Sequence, residues 1–210
     1  MKLAYRDTDS AAPGLPAVVL HGDGTGSIDL APVARAVAGL KRVVAPFGDY
    51  AYTASGMEVA GTCWYRILPG YAGTDPISLT KAVVQVCDLL DDLALGRPAL
   101  IGCGQGGVVA LGAGLLRADE VGPVVCIDAP PAHVQLLPPA VLAGPSHPPV
   151  LLVATAASRA AALGELGDHL AAHGIASEAW QWSGEEDGPA RDDAMARRIG
   201  DWLEEGGGGR

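Results

Sequence analysis

The sequence predicts one α/β domain on a doubly wound, mainly parallel sheet, and three observations lead there. Short apolar, β-branched runs alternate with longer segments of helical period, which is the pattern of successive βα units. Most of those runs are apolar throughout, as strands buried on both faces are. A chain of 210 residues is long enough to bury a full core as a single domain.

In chain order the strands are expected at Leu3–Arg6, Ala17–Leu20, Arg42–Ala45, Pro98–Ile101, Pro123–Ile127, Val150–Ala154 and Ser177–Trp182. Helices are expected over about Leu30–Gly39, Ser78–Leu93, Gly106–Arg117, Arg159–His173 and Pro189–Glu204, several opening on Ser, Asp or Pro and closing on glycine. Gly174 and Gly206 are the clearest stops. Two segments, Pro46–Pro76 and Asp128–Pro148, are rich in Pro and Gly; connections that long are usually functional or partly structured, and here they are expected to roof a pocket. Residues 1–205 form the domain, and 206–210 read as a flexible glycine-rich tail.

Fourteen Lys plus Arg against 24 Asp plus Glu give a net charge of −10. That charge argues against nucleic acid and anionic membrane as partners. The N-terminus turns polar at once, and no apolar run approaches the roughly 20 residues of a membrane span, so a cytoplasmic protein is expected. Cys63, Cys87, Cys103 and Cys126 show neither CxxC nor Cys/His ligand spacing, so no metal site and no disulfide framework is indicated. No cofactor motif is read. A small-molecule ligand or substrate is the expected partner, and a homodimer stays open.

The chemistry concentrates after the strand Pro98–Ile101, where Gly102-Cys103-Gly104-Gln105-Gly106-Gly107 leads directly into a helix. Strand, sharp turn and helix with flanking glycines are the layout of the nucleophile elbow Gly-x-Ser-x-Gly. Val18-Val19-Leu20-His21-Gly22-Asp23-Gly24 follows an early strand, and Cys63-Trp64-Tyr65 lies in the next long loop. With these marks in this order, nearly the whole chain resembles the phospholipase/carboxylesterase branch of the α/β-hydrolase family. The resemblance implies an α/β-hydrolase fold without a large cap domain.

Carrying the family's triad onto this sequence shows three departures. Gly104 stands at the serine position, Ser158 where the family has its aspartate, and Asp187 where the histidine should be. Gly104 has no side chain to attack a carbonyl, so Ser-His-Asp hydrolysis is not expected. Glycine also relieves the elbow of backbone strain, which costs a side chain on the order of 1–3 kcal/mol. Oxyanion donors are still expected from the N–H groups of Gln105, Gly106 and Gly107 and from the Asp23-Gly24 turn.

Other candidates are weighed by position. Cys103 is the obvious substitute nucleophile, but its register points it into the fold, as a buried structural cysteine. Asp128, ending a strand in Asp-Ala-Pro-Pro, is either an acid at the ligand edge of the sheet or a loop cap. His21 is expected to brace the oxyanion loop and belong to the pocket wall with Tyr50, Tyr52 and Trp64, whose rings suit a flat ligand. His133 is the better of the two loop histidines, ahead of His147, while His169 and His173 fall on a helix away from the site. Acid or base groups are therefore sought among Asp128, Tyr65, His133 and Asp187. The leading expectation is non-hydrolytic, cofactor-free chemistry on a small carbonyl-bearing metabolite: a cyclisation, lyase or isomerisation step. The alternatives are a silent ligand- or partner-binding protein, and a hydrolase working through Cys103 or water.

Overall fold

The computed structural model describes residues 2–9, 14–23, 40–53, 59–68, 73–156, 159–182 and 189–206. The sheet contains β1 (Tyr5–Asp9), β2 (Leu15–Leu20), β3 (Leu40–Pro46), β8 (Ala99–Cys103), β9 (Val124–Ile127), β10 (Val150–Ala154) and β11 (Ser177–Gln181). Their spatial order is β1-β3-β2-β8-β9-β10-β11. β1 runs antiparallel to β3, and the other neighbours are parallel. This is the doubly wound, mainly parallel sheet expected.

Alternation along the strands makes two cores, because successive side chains leave opposite faces. Val18, Leu20, Leu100, Val124, Cys126, Val150 and Leu152 face one core. That core is closed by helices α1 (Pro76–Leu93), α2 (Gln105–Leu116) and α5 (Ala160–Ala172). Ala17, Val19, Ala99, Ile101, Val125, Ile127, Leu151 and Val153 face the other, closed by Met195, Ile199, Trp202 and Leu203 of α6 (Pro189–Glu204). α2 is buried along its length from Gln105 to Leu115, which explains an apolar composition with no polar face. The helix expected over Leu30–Gly39 lies outside the described residues.

Both long connections carry structure of their own. Residues 47–75 contain the hairpins β4 (Tyr50–Thr53) with β5 (Val59–Cys63) and β6 (Ile67–Leu68) with β7 (Gly73–Thr74). Residues 128–149 contain two single-turn helices, α3 (Pro131–Val134) and α4 (Pro139–Leu142).

Some boundaries move, for physical reasons. The first strand is displaced from Leu3–Arg6 to Tyr5–Asp9, since pairing with β3 sets its register and Arg42 grips Asp7 at 2.6 Å. Leu3 lies buried ahead of it. α1 opens two residues before the expected Ser78, because Asp75 caps it by accepting from the Ile77 N–H at 3.1 Å and Pro76 suits the first turn. Ser78 instead donates to the Asp75 carbonyl and accepts from the Arg66 N–H. Gly206 does not move: it takes a left-handed φ of 79° after α6, as the helix stop expected there.

The crossing of β8 and α2 over the end of β2 is the tightest backbone contact around the site. A Cβ on Gly102 would lie 2.2 Å from the Gly106 carbonyl oxygen, and one on Gly106 would lie 2.4 Å from the carbonyl oxygens of Leu20 and His21. Backbone cannot yield as a flexible side chain can, so Gly106→Ala is expected to destabilise the protein by about 3 kcal/mol or more, or to prevent folding. Gly164→Ala, on α5 with nothing within 4 Å of the new methyl, is expected to stabilise by about 0.5–1 kcal/mol. Urea denaturation of the two variants checks both signs.

Candidate functional site

β2 and β8 are neighbours whose chains leave in opposite directions, β2 toward β3 and β8 toward β9. Such a switch point opens a crevice at the carboxyl ends of the strands. Residues 21–23 leave β2 on one side of it, and Gly104 stands on the other.

Gly104 forms the apex between β8 and α2 with φ 51° and ψ −119°. Its N–H donates to the Ile127 carbonyl at 2.8 Å, and its own carbonyl accepts from Gly107 and Val108. The positive φ calls for glycine on strain grounds, whereas space does not: a Cβ there would meet only Asp23 Oδ1 at 3.2 Å and Gly22 Cα at 3.8 Å. The two flanking glycines are thus demanded by contact and the central one by conformation. Gly107 is no free donor, because its N–H is spent on Gly104 at 3.1 Å. Gln105 and Gly106 keep the backbone N–H groups that open a helix without intrahelical partners.

The Gln105 side chain is committed to the aromatic loop. Buried, it accepts from the N–H groups of Trp64 (2.9 Å) and Tyr65 (3.3 Å) and donates to the Tyr65 carbonyl. It fastens the aromatic loop onto the start of α2. His21 is buried too: its Nε2 accepts from the Gly48 N–H at 3.0 Å, so the proton sits on Nδ1, which donates to the Gly22 carbonyl at 2.6 Å. Trp64 Nε1 donates to the His21 carbonyl. His21 and Trp64 therefore brace the turn from behind, the bracing role expected of His21, and neither is among the residues lining the cavity beside the apex.

Tyr65 and His133 come together across 68 positions of sequence, the hydroxyl lying 2.9 Å from His133 Nδ1. Tyr65 is fully buried, so its hydroxyl proton needs an acceptor and goes to Nδ1. That leaves His133 with its proton on Nε2, as a hydrogen-bond donor. Burial, with the Asp23 charge second, raises the phenol far above its ordinary value. Burial lowers the His133 imidazole below its usual range, the Asp23 charge partly opposing. Both groups are therefore neutral near pH 7. Asp23 acts on Tyr65, His133 and Cys63 alike, so the carboxylate over the apex is the electrostatic centre of this cluster.

Beside the apex opens a cavity of about 380 Å³, lined among others by Tyr50, Tyr52, Cys63, Tyr65, Arg66 and Gln105. Tyr50 and Tyr52 are both on its lining. Arg66, which the sequence reading missed, places its guanidinium 4.8 Å from the Tyr50 ring centroid, a cation–π contact. Cys103 is half-buried and packs against the α6-side core, in keeping with its expected register.

Asp128 ends β9 in a left-handed conformation, φ 51°, which aspartate tolerates better than most residues. Its carboxylate accepts from the Thr155 N–H (3.0 Å) and the Thr155 hydroxyl (2.5 Å), and Arg159 Nε lies 3.7 Å away. It ties the ends of β9 and β10 together. His147 lies at the opposite end of β10, and His169 and His173 stack on each other at 4.8 Å on and beyond α5. Gly24, Ser158 and Asp187 lie outside the described residues. Among the described residues no three His, Cys, Asp or Glu gather in a way that could hold a metal ion, and no helix is long and apolar enough to cross a membrane.

No protein-family model and no curated protein sequence matches the chain. Solved structures do. A carboxylesterase from Bacillus cereus superposes with a TM-score of 0.68 at 16% identity, covering 97% of this chain and 94% of its own. A carboxylesterase from Mesorhizobium loti gives 0.69 at 19%, covering 95% and 93%. Acyl-protein thioesterase 2 from Zea mays gives 0.67 at 15%, covering 98% and 99%. With the sheet order, these matches define the fold: the chain has the α/β-hydrolase fold, which it shares with these three proteins.

The electrostatics can be read by titration. The His133 ring resonances should report a midpoint below the roughly 6.5 of an unperturbed histidine. Asp23→Asn should lower it further, because the carboxylate favours the imidazolium. Since the unfolded chain takes up this proton first, His133 leaves stability unchanged above about pH 6.5 and reduces it as pH falls toward its folded midpoint. A midpoint that rises in Asp23→Asn would contradict the coupling.

Proposed function

We propose that the cavity beside Gly104 binds a small carbonyl-bearing molecule and that the site moves a proton on it without forming a covalent bond to the protein. The observation that carries this reading is the apex itself. In place of a nucleophile, Gly104 offers backbone alone, and Asp23 Oδ1 lies 3.2 Å from where a Cβ on it would stand.

The proposed step balances within the site. Asp23 takes a proton from the carbon next to the carbonyl, and the C–H electron pair moves into the carbonyl to make an enolate. The enolate oxygen is held by the backbone N–H groups of Gln105 and Gly106 that open α2. Returning the proton to the same or a neighbouring carbon completes an isomerisation, with no oxidant, metal or cofactor consumed. A single preorganised donor of this kind is worth about 2.7–4 kcal/mol in enzymes where one has been removed.

A second reading is hydrolysis by water, with Asp23 as general base and the same donors on the tetrahedral oxyanion. It is favoured by the solved structures sharing the fold, which are carboxylesterases and a thioesterase. Cys103 does not serve it, since the thiol packs on the α6 side of the sheet. A third outcome, a protein that only binds, leaves its ligand unchanged.

Incubation in deuterium oxide with a panel of small ketones, keto acids and esters separates the three by NMR. Deuterium at the α-carbon without ester cleavage is expected, together with a loss of about 100-fold or more in Asp23→Asn, the usual scale for an acid–base group. Ester cleavage without exchange would favour the water mechanism, and bound ligand unchanged in mass and spectrum would favour the silent binder. A fluorophosphonate probe is expected to leave the protein unlabelled, and stoichiometric labelling would overturn the whole reading of the apex.

A further inference from the structure

A second cavity, of about 200 Å³, lies between the ends of β9 and β10 and helix α5. Leu152, Ala162, Leu163 and Leu166 are among its walls, with Asp128 and Arg159 also on its lining. Neither Gly104 nor any residue lining the Tyr50–Tyr52 cavity takes part in it. It is smaller than the roughly 300–1,000 Å³ of sites for drug-sized ligands, so any occupant is short.

The polar groups discriminate between ligand charges. Asp128 is already answered: its side chain is 11% exposed, and its two oxygens accept from Thr155, with Arg159 close by. An ammonium would have to compete with those donors. Arg159 is in the opposite state, with a side chain 55% exposed and its Nε 3.7 Å from Asp128 Oδ1, beyond hydrogen-bond length. Its planar fork of N–H donors matches a carboxylate in bidentate fashion. The net charge of −10 repels anions in general, so any affinity must come from this arginine and from the apolar walls.

The geometry points to a binding site for a short-chain monocarboxylate, branched or aromatic, with its tail among Leu152, Leu163 and Leu166 and its carboxylate on Arg159. The site is one strand removed from the apex, so the inference does not depend on the chemistry proposed there. Occupancy would couple to the apex through β9, because Gly104 donates to the Ile127 carbonyl and Asp128 follows Ile127.

The test is methyl NMR titration of the whole protein with 4-methylpentanoate and phenylacetate, alongside 4-methylpentanamide and isopentylamine as controls. Saturable shifts at Leu163 and Leu166, with little change at Ile67 and Leu68 of the first cavity, are expected for the acids. The amide and Arg159→Gln should each weaken binding by about tenfold or more. Arg159→Gln alters an exposed side chain and should fold normally, and Leu163→Trp, which fills the cavity, should abolish binding while Arg159→Gln only weakens it. Tighter binding of the amine, shifts confined to the first cavity, or no saturable shift with either acid would overturn the inference.

Discussion

The whole site depends on one approach of backbone to backbone, the passage of the first turn of α2 across β8 and over the end of β2. Gly102 and Gly106 permit it by carrying no Cβ, as carbonyl oxygens stand 2.2 to 2.4 Å from where one would be. The contact sets the apex beside residues 21–23 and aims the opening N–H groups of α2 into the crevice. His21 and Trp64 hold the turn from one side, while Gln105 ties the aromatic loop to the helix from the other. These braces are buried polar groups with their partners in place, which is what lets backbone donors keep a fixed direction.

Within that frame the apex residue is under a different constraint from its neighbours. Close contact forbids a side chain at Gly102 and Gly106, while at Gly104 conformation alone selects against one. The shape of the turn therefore does not depend on a side chain at its apex, where one would carry local strain on the order of 1–3 kcal/mol. The geometry of the fold is kept by contacts that have no part in bond making.

Much of this was legible in the sequence, and what was not has a common cause. β10 and α6 fell at their expected boundaries, and β8 and β9 within two residues, because strands buried on both faces and glycine or proline punctuation are local signals. The apex at Gly104 was legible for the same reason. By contrast, β1 is polar and owes its place to Arg42, far along the chain, so hydrophobic pattern misplaced it. Gln105 sits inside the motif, yet its partners lie 40 and 41 positions away. The Tyr65–His133 pair spans 68 positions: each residue stood out singly, Tyr65 by its aromatic cluster and His133 by its loop, but nothing local joined them. Arg66 and Arg159 carried no motif and emerged only as neighbours of Tyr50 and Asp128.

The position of Asp23 bears on which chemistry the apex can support. Attack on a carbonyl by a serine-like nucleophile creates a new negative charge within a few ångströms of that carboxylate. Two such charges about 4 Å apart repel by about 1 kcal/mol in water and about 4 kcal/mol near a protein surface, and the exposure of Asp23 keeps the figure toward the lower end. A proton transfer to Asp23 has no such penalty, because the carboxylate becomes neutral as the enolate forms. Charge then moves from one oxygen to another and does not accumulate. General-base attack by water falls between these cases, since Asp23 is also neutralised there, but it needs a water placed between carboxylate and carbonyl. On electrostatic grounds, then, the Asp23 carboxylate disfavours the build-up of a second negative charge beside Gly104, and this is the argument behind the proton transfer proposed above.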